Sequence, residues 1–475
     1  MISPLLIITH GKCKGYTNKR LEQRINRVKV QLITLTNSRS FSIQSVLSCL
    51  WWRRQTLSYR NKKFTMMHAA VVFWIVSAVV YVLTGYPHEG HALPAQNSAV
   101  DSDSSVSLVT SGNKEFAYSL YRRLAAHADC QGKNIFYSPA SVSVALAALS
   151  VGARGETHQQ LFSGLGFNNS QLSQTDVNQA FRTLLANTMS HEDISEGTAV
   201  FVDNRFKPQP EFLDVLKQSY FAEGFSVDFT KTTDSANTIN KYVADKTKGK
   251  IDKLVSGLDP STVMYLLSFI YYKGKWASPF DSDKTKEDMF TVEGNNKVPV
   301  QMMNKEDYFD TYHDQAINTS VLHLPFNNSY SMLLMLPEDM ATLENAISPT
   351  YVTKWLRWMG SSNYDIYVPK FSIKTSYKLN DVLIEMGMTD MFGDRADLSG
   401  ISELEKLAVS DVVHQATLDV DEAGATATAA TGTGITLMSL RLVPVLKFNR
   451  PFMVIITERN TENLLFMGKI INPNI

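Results

Sequence analysis

The sequence predicts an α+β fold: one large domain whose first third is mainly helical and whose remainder is mainly strand. Three observations lead there. Apolar residues recur at helical spacing in the early segments, uninterrupted apolar runs appear later, and the two kinds mix without a βαβ rhythm or an internal repeat. With 475 residues, 44% of them hydrophobic and 19% charged, the chain has material for a large core.

The N-terminal region reads differently. Residues 1–65 are rich in Lys and Arg, against the single acid Glu22, and are followed by an uncharged apolar run, Ala69 to Leu83. Lys62 and Lys63 precede that run, Pro87 and Glu89 follow it, and small residues Gly90 and Ala92 stand at a cleavage site: the layout of a secretory signal peptide. A signal anchor is the alternative, for which the run is short against the roughly 20 residues of a membrane span. The expected organisation is a leader (1–65) upstream of the true start at Met66 or Met67, a signal peptide (66–92), a mobile Ser/Asp/Ala-rich tail (93–112) and one folded domain (113–475), secreted to the extracellular space.

The domain's elements follow in order. "NKEFAYSLYRRLA" sets Phe116, Leu120 and Leu124 on one helical face, and Ser138-Pro139 opens an Ala-rich helix that runs to Gly152. Val263–Tyr272 and Ser331–Pro337 are continuous apolar runs, as strands buried on both faces require. Tyr364–Ile373 alternates as one strand, and "PFMVIITE" with "NLLFMGKIINP" predicts a hairpin around Arg459-Asn460. Cys130 is the only cysteine after the leader, expected as a surface or half-buried thiol, with an intermolecular bridge the alternative. Sequons at Asn168, Asn318 and Asn327 suit a secreted glycoprotein.

Motifs for catalysis are missing. There is no Gly-x-Ser-x-Gly, no Cys-x-x-Cys and no phosphate loop, and His88-Glu89-Gly90-His91 misses a zinc-protease spacing by one place. Net charge is zero, and the helical stretch from Val177 to Asp193 carries one Arg, so no polyanion surface is expected. No enzyme activity, cofactor, metal or nucleic-acid partner is therefore expected.

One stretch resists that bland description. From Gly424 to Gly434 the chain contains only Gly, Ala and Thr, between two apolar stretches. Composition alone reads it as a linker. Counted from Ala425, however, one face carries Ala425, Ala427, Ala429 and Thr431 and the other Thr426, Thr428, Ala430 and Gly432, so the segment could enter a packed sheet with nothing charged or bulky to bury and no proline to remove a donor.

Four separated motifs carry a resemblance: "NIFYSPASVSVALAALSVGARGETHQQL", "IYYKGKWASPF", "DVDEAGATATAA" and "FNRPFMVIITERNTENLLFMGKIINP". In this order the chain resembles the serpins, and among them the secreted antitrypsin and antichymotrypsin group. The resemblance implies about nine helices on three β-sheets with an exposed reactive-centre loop, and inhibition of serine proteases by a suicide-substrate route. The cut loop then inserts as a new strand and carries the trapped enzyme with it.

By the same resemblance Glu422, Gly424, Ala425, Ala427 and Ala429 form the hinge, Ala425 standing where Thr or Ser is more usual. The reactive bond falls between Met438 and Ser439, with Arg441 the runner-up. Met before the cut suits chymotrypsin-like or elastase-like proteases, which become covalent partners of an otherwise monomeric protein. Trp276 and the Lys370–Glu422 pair match the breach, and Ser138, Ser141, Asn240 and His414 the shutter. Lys273, Asn449, Pro451 and Phe452 match structural motif positions. A carrier of a small hydrophobic hormone is the alternative, since some secreted serpins have lost inhibition.

Overall fold

Helix α1 (Ser102–Ala126) begins inside the region expected to be a mobile tail. A computed structural model describes residues 102–475 apart from 295, 404–406 and 424–442. Within α1, buried positions recur at Ser105, Val109, Asn113, Phe116, Leu120 and Leu124, one face at steps of three and four. Ser105 and Asn113 are polar, so hydrophobicity alone hid the first turns. Gly112 lets this part of the helix pass close to its neighbour: an added Cβ would meet the Phe167 ring at 2.8 Å and the Gly166 carbonyl at 2.9 Å. From Ser102 onward the expected mobile tail is thereby corrected to helix.

The chain continues through β1 (Ile135–Tyr137), α2 (Pro139–Gly152), α3 (Gly155–Gly164), α4 (Gln174–Met189), β2 (Ile194–Asp203), α5 (Pro210–Tyr220), β3 (Glu223–Val227), α6 (Thr232–Lys246) and β4 (Met264–Tyr272). The remainder holds β5 (Lys286–Glu293), β6 (Asn296–Asp314), β7 (Thr319–Pro325), β8 (Tyr330–Pro337), α7 (Met340–Ala346), α8 (Pro349–Trp358), β9 (Gly360–Pro369), β10 (Phe371–Lys378) and α9 (Asn380–Glu385). It closes with β11 (Asp411–Val420), β12 (Val445–Lys447), β13 (Phe452–Glu458) and β14 (Leu464–Ile470). Among the described residues the α+β expectation holds, with nine α-helices. The strands join into two hydrogen-bonded sheets where three were expected, because β6 runs unbroken past β7 at one end and β5 and β9 at the other.

One sheet has the order β10-β11-β4-β2-β3. Its centre is unusual in direction: β10–β11 and β4–β2 are antiparallel, whereas β11 and β4 lie parallel, in register from Asp411↔Tyr265 to Leu418↔Tyr272. The other sheet runs β1-β14-β13-β8-β7-β6-β9-β12, with β13–β14 the expected C-terminal hairpin. Strands β4 and β8 are buried along their whole length, as their apolar runs predict. Alternation sorts their side chains. On β4, Leu267 and Phe269 pack beneath α6 with Ile239 and Val243, while Ile270 and Tyr272 fill the space between the sheets.

The expected single strand Tyr364–Ile373 is divided. Pro369 ends β9 in one sheet and Phe371 starts β10 in the other, so Lys370 is the crossing residue. A proline has no N–H for a further ladder bond, and the alternation of side chains continues through the break and conceals it. Cys130 is 6% exposed and unpaired, more buried than expected, and that burial withdraws it from an intermolecular bridge.

Candidate functional site

The parallel β4–β11 seam is fastened at its middle from below. Helix α2 is Ala-rich and buried almost all round, so it can lie flat under the seam, with Pro139 at its first turn and Ser138 as N-cap. The Ser138 Oγ accepts the Ser141 N–H at 3.1 Å, and the Ser138 N–H donates to His414 Nε2 at 2.9 Å. His414 is 0% exposed and faces its register partner Ser268, whose Oγ lies 2.9 Å from Nδ1. Because Nε2 accepts, the proton of the neutral ring sits on Nδ1 and donates to Ser268. One imidazole thus ties β11, β4 and the start of α2 together, and burial drives its pKa down to about 3.

Sequence reading missed Ser268, an unremarkable serine inside an apolar run. It placed Asn240 at this cluster instead. The structure corrects that: Asn240 sits on α6, donating to the Val255 carbonyl at 2.8 Å and accepting the Leu254 and Val255 N–H groups at 2.8 and 2.9 Å. Its side chain secures the turn after α6, on the outer side of the sheet from His414.

At the upper end of β11 the chain is clamped just before residue 424. The Trp276 indole N–H donates to the Asp421 carbonyl at 2.7 Å, the Trp276 backbone N–H to the Ala423 carbonyl at 3.0 Å, and the Phe280 N–H to the Glu422 carbonyl at 3.2 Å. The Trp276 ring is fixed in turn by stacking on Phe326, centroids 4.5 Å apart. Charges complete the clamp. Lys273 reaches Asp421 at 2.7 Å, Lys370 reaches Glu422 at 2.9 Å, and Thr285 donates to the other Glu422 oxygen at 2.8 Å. Burial is the largest single influence and works to raise both carboxyls, but the lysine, backbone and, for Glu422, Thr285 hydrogen bonds together with the lysine charges outweigh it and hold both below the ordinary carboxylate range.

Thr285, Phe280 and Lys273 join the clamp without having been assigned to it from sequence. Lys370 can reach Glu422 because it stands at the crossing between the sheets. Glu422→Lys would set two cations together and abandon Thr285. It is expected to lower the thermal midpoint and to yield a ladder of polymers on a native gel after warming; a variant that stays monomeric would overturn this.

After Ala423 the described chain resumes at Val443, where the Pro444 carbonyl accepts the Asp365 N–H at 3.0 Å and β12 runs parallel to β9. The assigned Gly424, Ala425, Ala427, Ala429, Met438, Ser439 and Arg441 lie outside the described residues, as does the leader. The carbonyl of Asn449 accepts the Thr291 N–H, and Phe452 is fully buried. Asn168, Asn318 and Asn327 are all exposed.

The comparisons with known proteins fit this arrangement. Residues 111–473 match the serpin family, described as serine protease inhibitors. The chain belongs to the serpin family. Alpha-1-antitrypsin-like protein GS55-MS of Ictidomys tridecemlineatus is 38% identical over 366 residues, 76% of this chain and 88% of that protein. Serpin A3-5 of Bos taurus is 38% identical over 396 residues, 81% of this chain and 94% of that one. Among solved structures, human thyroxine-binding globulin complexed with thyroxine is similar at a TM-score of 0.72 and 33% identity, covering 78% of this chain and all of that one.

This serpin is thus antitrypsin- and antichymotrypsin-like. The bare expectation of no enzymatic role is corrected by these matches, which place the chain among proteins named as serine protease inhibitors. No described helix is long and apolar enough to cross a membrane.

Proposed function

We propose that the protein is a secreted, monomeric inhibitor of chymotrypsin-like or elastase-like serine proteases, acting as a suicide substrate at Met438–Ser439. The protease serine attacks the Met438 carbonyl, the bond to Ser439 breaks, the new amine leaves with a proton, and an ester joins Met438 to the enzyme. The long, unbranched, apolar Met side chain suits a hydrophobic specificity slot. Glycans at Asn168, Asn318 and Asn327 belong to the same reading.

The observation that carries it is the parallel seam. The chain leaves β11 after Val420 and is described as far as Ala423, so a segment folding back from there would run antiparallel to β11 and to β4 alike. Inserting it replaces one parallel ladder with two antiparallel ones, the more stable kind of pairing. Each added main-chain bond contributes about 0.5–1.5 kcal/mol, and the Gly/Ala/Thr segment brings no bulk against the packing on either side. That gain drives displacement of the bound protease.

Incubation with chymotrypsin, elastase and trypsin followed by a denaturing gel tests the reading. A high-mass complex with the first two is expected, and cleavage without any complex would overturn it. Mild oxidant converts an exposed Met438 to a polar sulfoxide and is expected to abolish the complex; undiminished inhibition would remove Met438 from the assignment. The second reading, hormone carriage, is favoured by the likeness to thyroxine-binding globulin. Thyroxine binding without complex formation would select it.

A further inference from the structure

A cavity of about 310 Å³ lies beside β2, walled by α2, α4 and α6. Its lining mixes apolar side chains, Val144, Leu185, Ile194 and Tyr242 among them, with polar ones that include His191, Glu192, Thr198, Lys246 and Lys248. One of the polar side chains has an oxygen without a partner. The Glu196 Oε1 is buried and accepts no hydrogen bond from any described group, although part of the residue reaches the surface. A buried carboxylate oxygen without a partner is costly, and a fold that keeps one beside an open cavity has left a place for the missing partner.

We propose that this cavity is a binding site for a small organic monocation with an apolar body, its ammonium donating to Glu196 and its aromatic or alkyl part filling the space between Val144, Leu185 and Tyr242. Protein cations do not supply the partner. Lys246 is engaged by Glu223 at 2.7 Å, and the His191 Nε2 lies 3.1 Å from the Ser329 hydroxyl. Lys248, at the cavity's rim, is exposed. Burial raises the Glu196 pKa to about 7, and the groups around it (His191, Glu192, Tyr220, Tyr242, Lys246, Lys248 and, from β8, Tyr330) do not reverse that shift. An ammonium binds the ionised form, so affinity should rise between pH 6 and 8 while the ligand stays protonated.

Calorimetric titration of the full chain with phenethylammonium, and with phenethyl alcohol as its neutral counterpart, tests the site. The wild type is expected to bind the amine at least tenfold tighter than the alcohol at pH 8, with affinity falling several-fold at pH 6. Glu196→Gln, of the same shape, should lose that preference and its pH dependence while still binding the alcohol. No heat with the wild type, or equal affinity for amine and alcohol, overturns the proposal. Retention of the amine preference in the Gln variant does so as well.

Discussion

Ala427→Arg is expected to turn the inhibitor into a plain substrate of chymotrypsin. Both faces of the seam are packed: Leu266, Ile270 and His414 lie on the inner side, Leu267, Phe269 and Val413 under α6 on the outer. An inserting strand therefore buries every side chain it carries, and a guanidinium without a partner costs several kcal/mol, about as much as a handful of ladder bonds return. The gel should show complete cleavage and no high-mass complex, and the cleaved variant should melt no higher than the intact one. Ala427→Ser, small enough for either face, should trap the protease as the wild type does. A high-mass complex from the Arg variant would mean that the segment does not enter between β4 and β11.

His414→Ala carries the second large effect. It leaves the Ser138 N–H buried without an acceptor, strips Ser268 of its donor and opens a void under the seam. A loss of about 2–4 kcal/mol is expected, read as a lower urea midpoint for the first unfolding transition and as polymers on gentle warming. Ser268→Ala, which removes one partner only, should lose about 1 kcal/mol.

The titration has a definite sign. Folded His414 stays neutral down to about pH 3, whereas in the unfolded chain it takes up a proton below about 6.5. Stability contributed by the neutral ring is complete above pH 6.5 and declines as pH falls toward 3. The Ala variant should show a shallower acid slope across that window; an identical slope would remove His414 as its source.

What could be read beforehand followed physical periodicity. Val263–Tyr272 and the C-terminal hairpin were legible because burial on both faces leaves unbroken apolar runs. The clamp was partly legible, since Trp276 and Glu422 stand in motifs and the resemblance paired Lys370 with Glu422. Ser268 was not, because a lone hydroxyl in a strand gains meaning only when the register sets it opposite His414. Asn240 went astray for the mirror reason: a polar residue near an expected site is as easily a cap for its own local turn. The start of α1 was hidden by buried Ser105 and Asn113, and the break at Lys370 by side-chain alternation that runs on through a change of sheet.

The parallel register of β4 and β11 has a consequence for handling as well as for action. If the proposed insertion is right, the intact chain is held short of its best pairing and owes its working lifetime to the height of a barrier, so its durability is a half-life and not an equilibrium constant. Its apparent melting temperature should move with scan rate, and stocks of the wild type should lose trapping capacity on storage with a steep temperature dependence. On the proposed mechanism a batch can then be fully folded by circular dichroism and yet trap no protease.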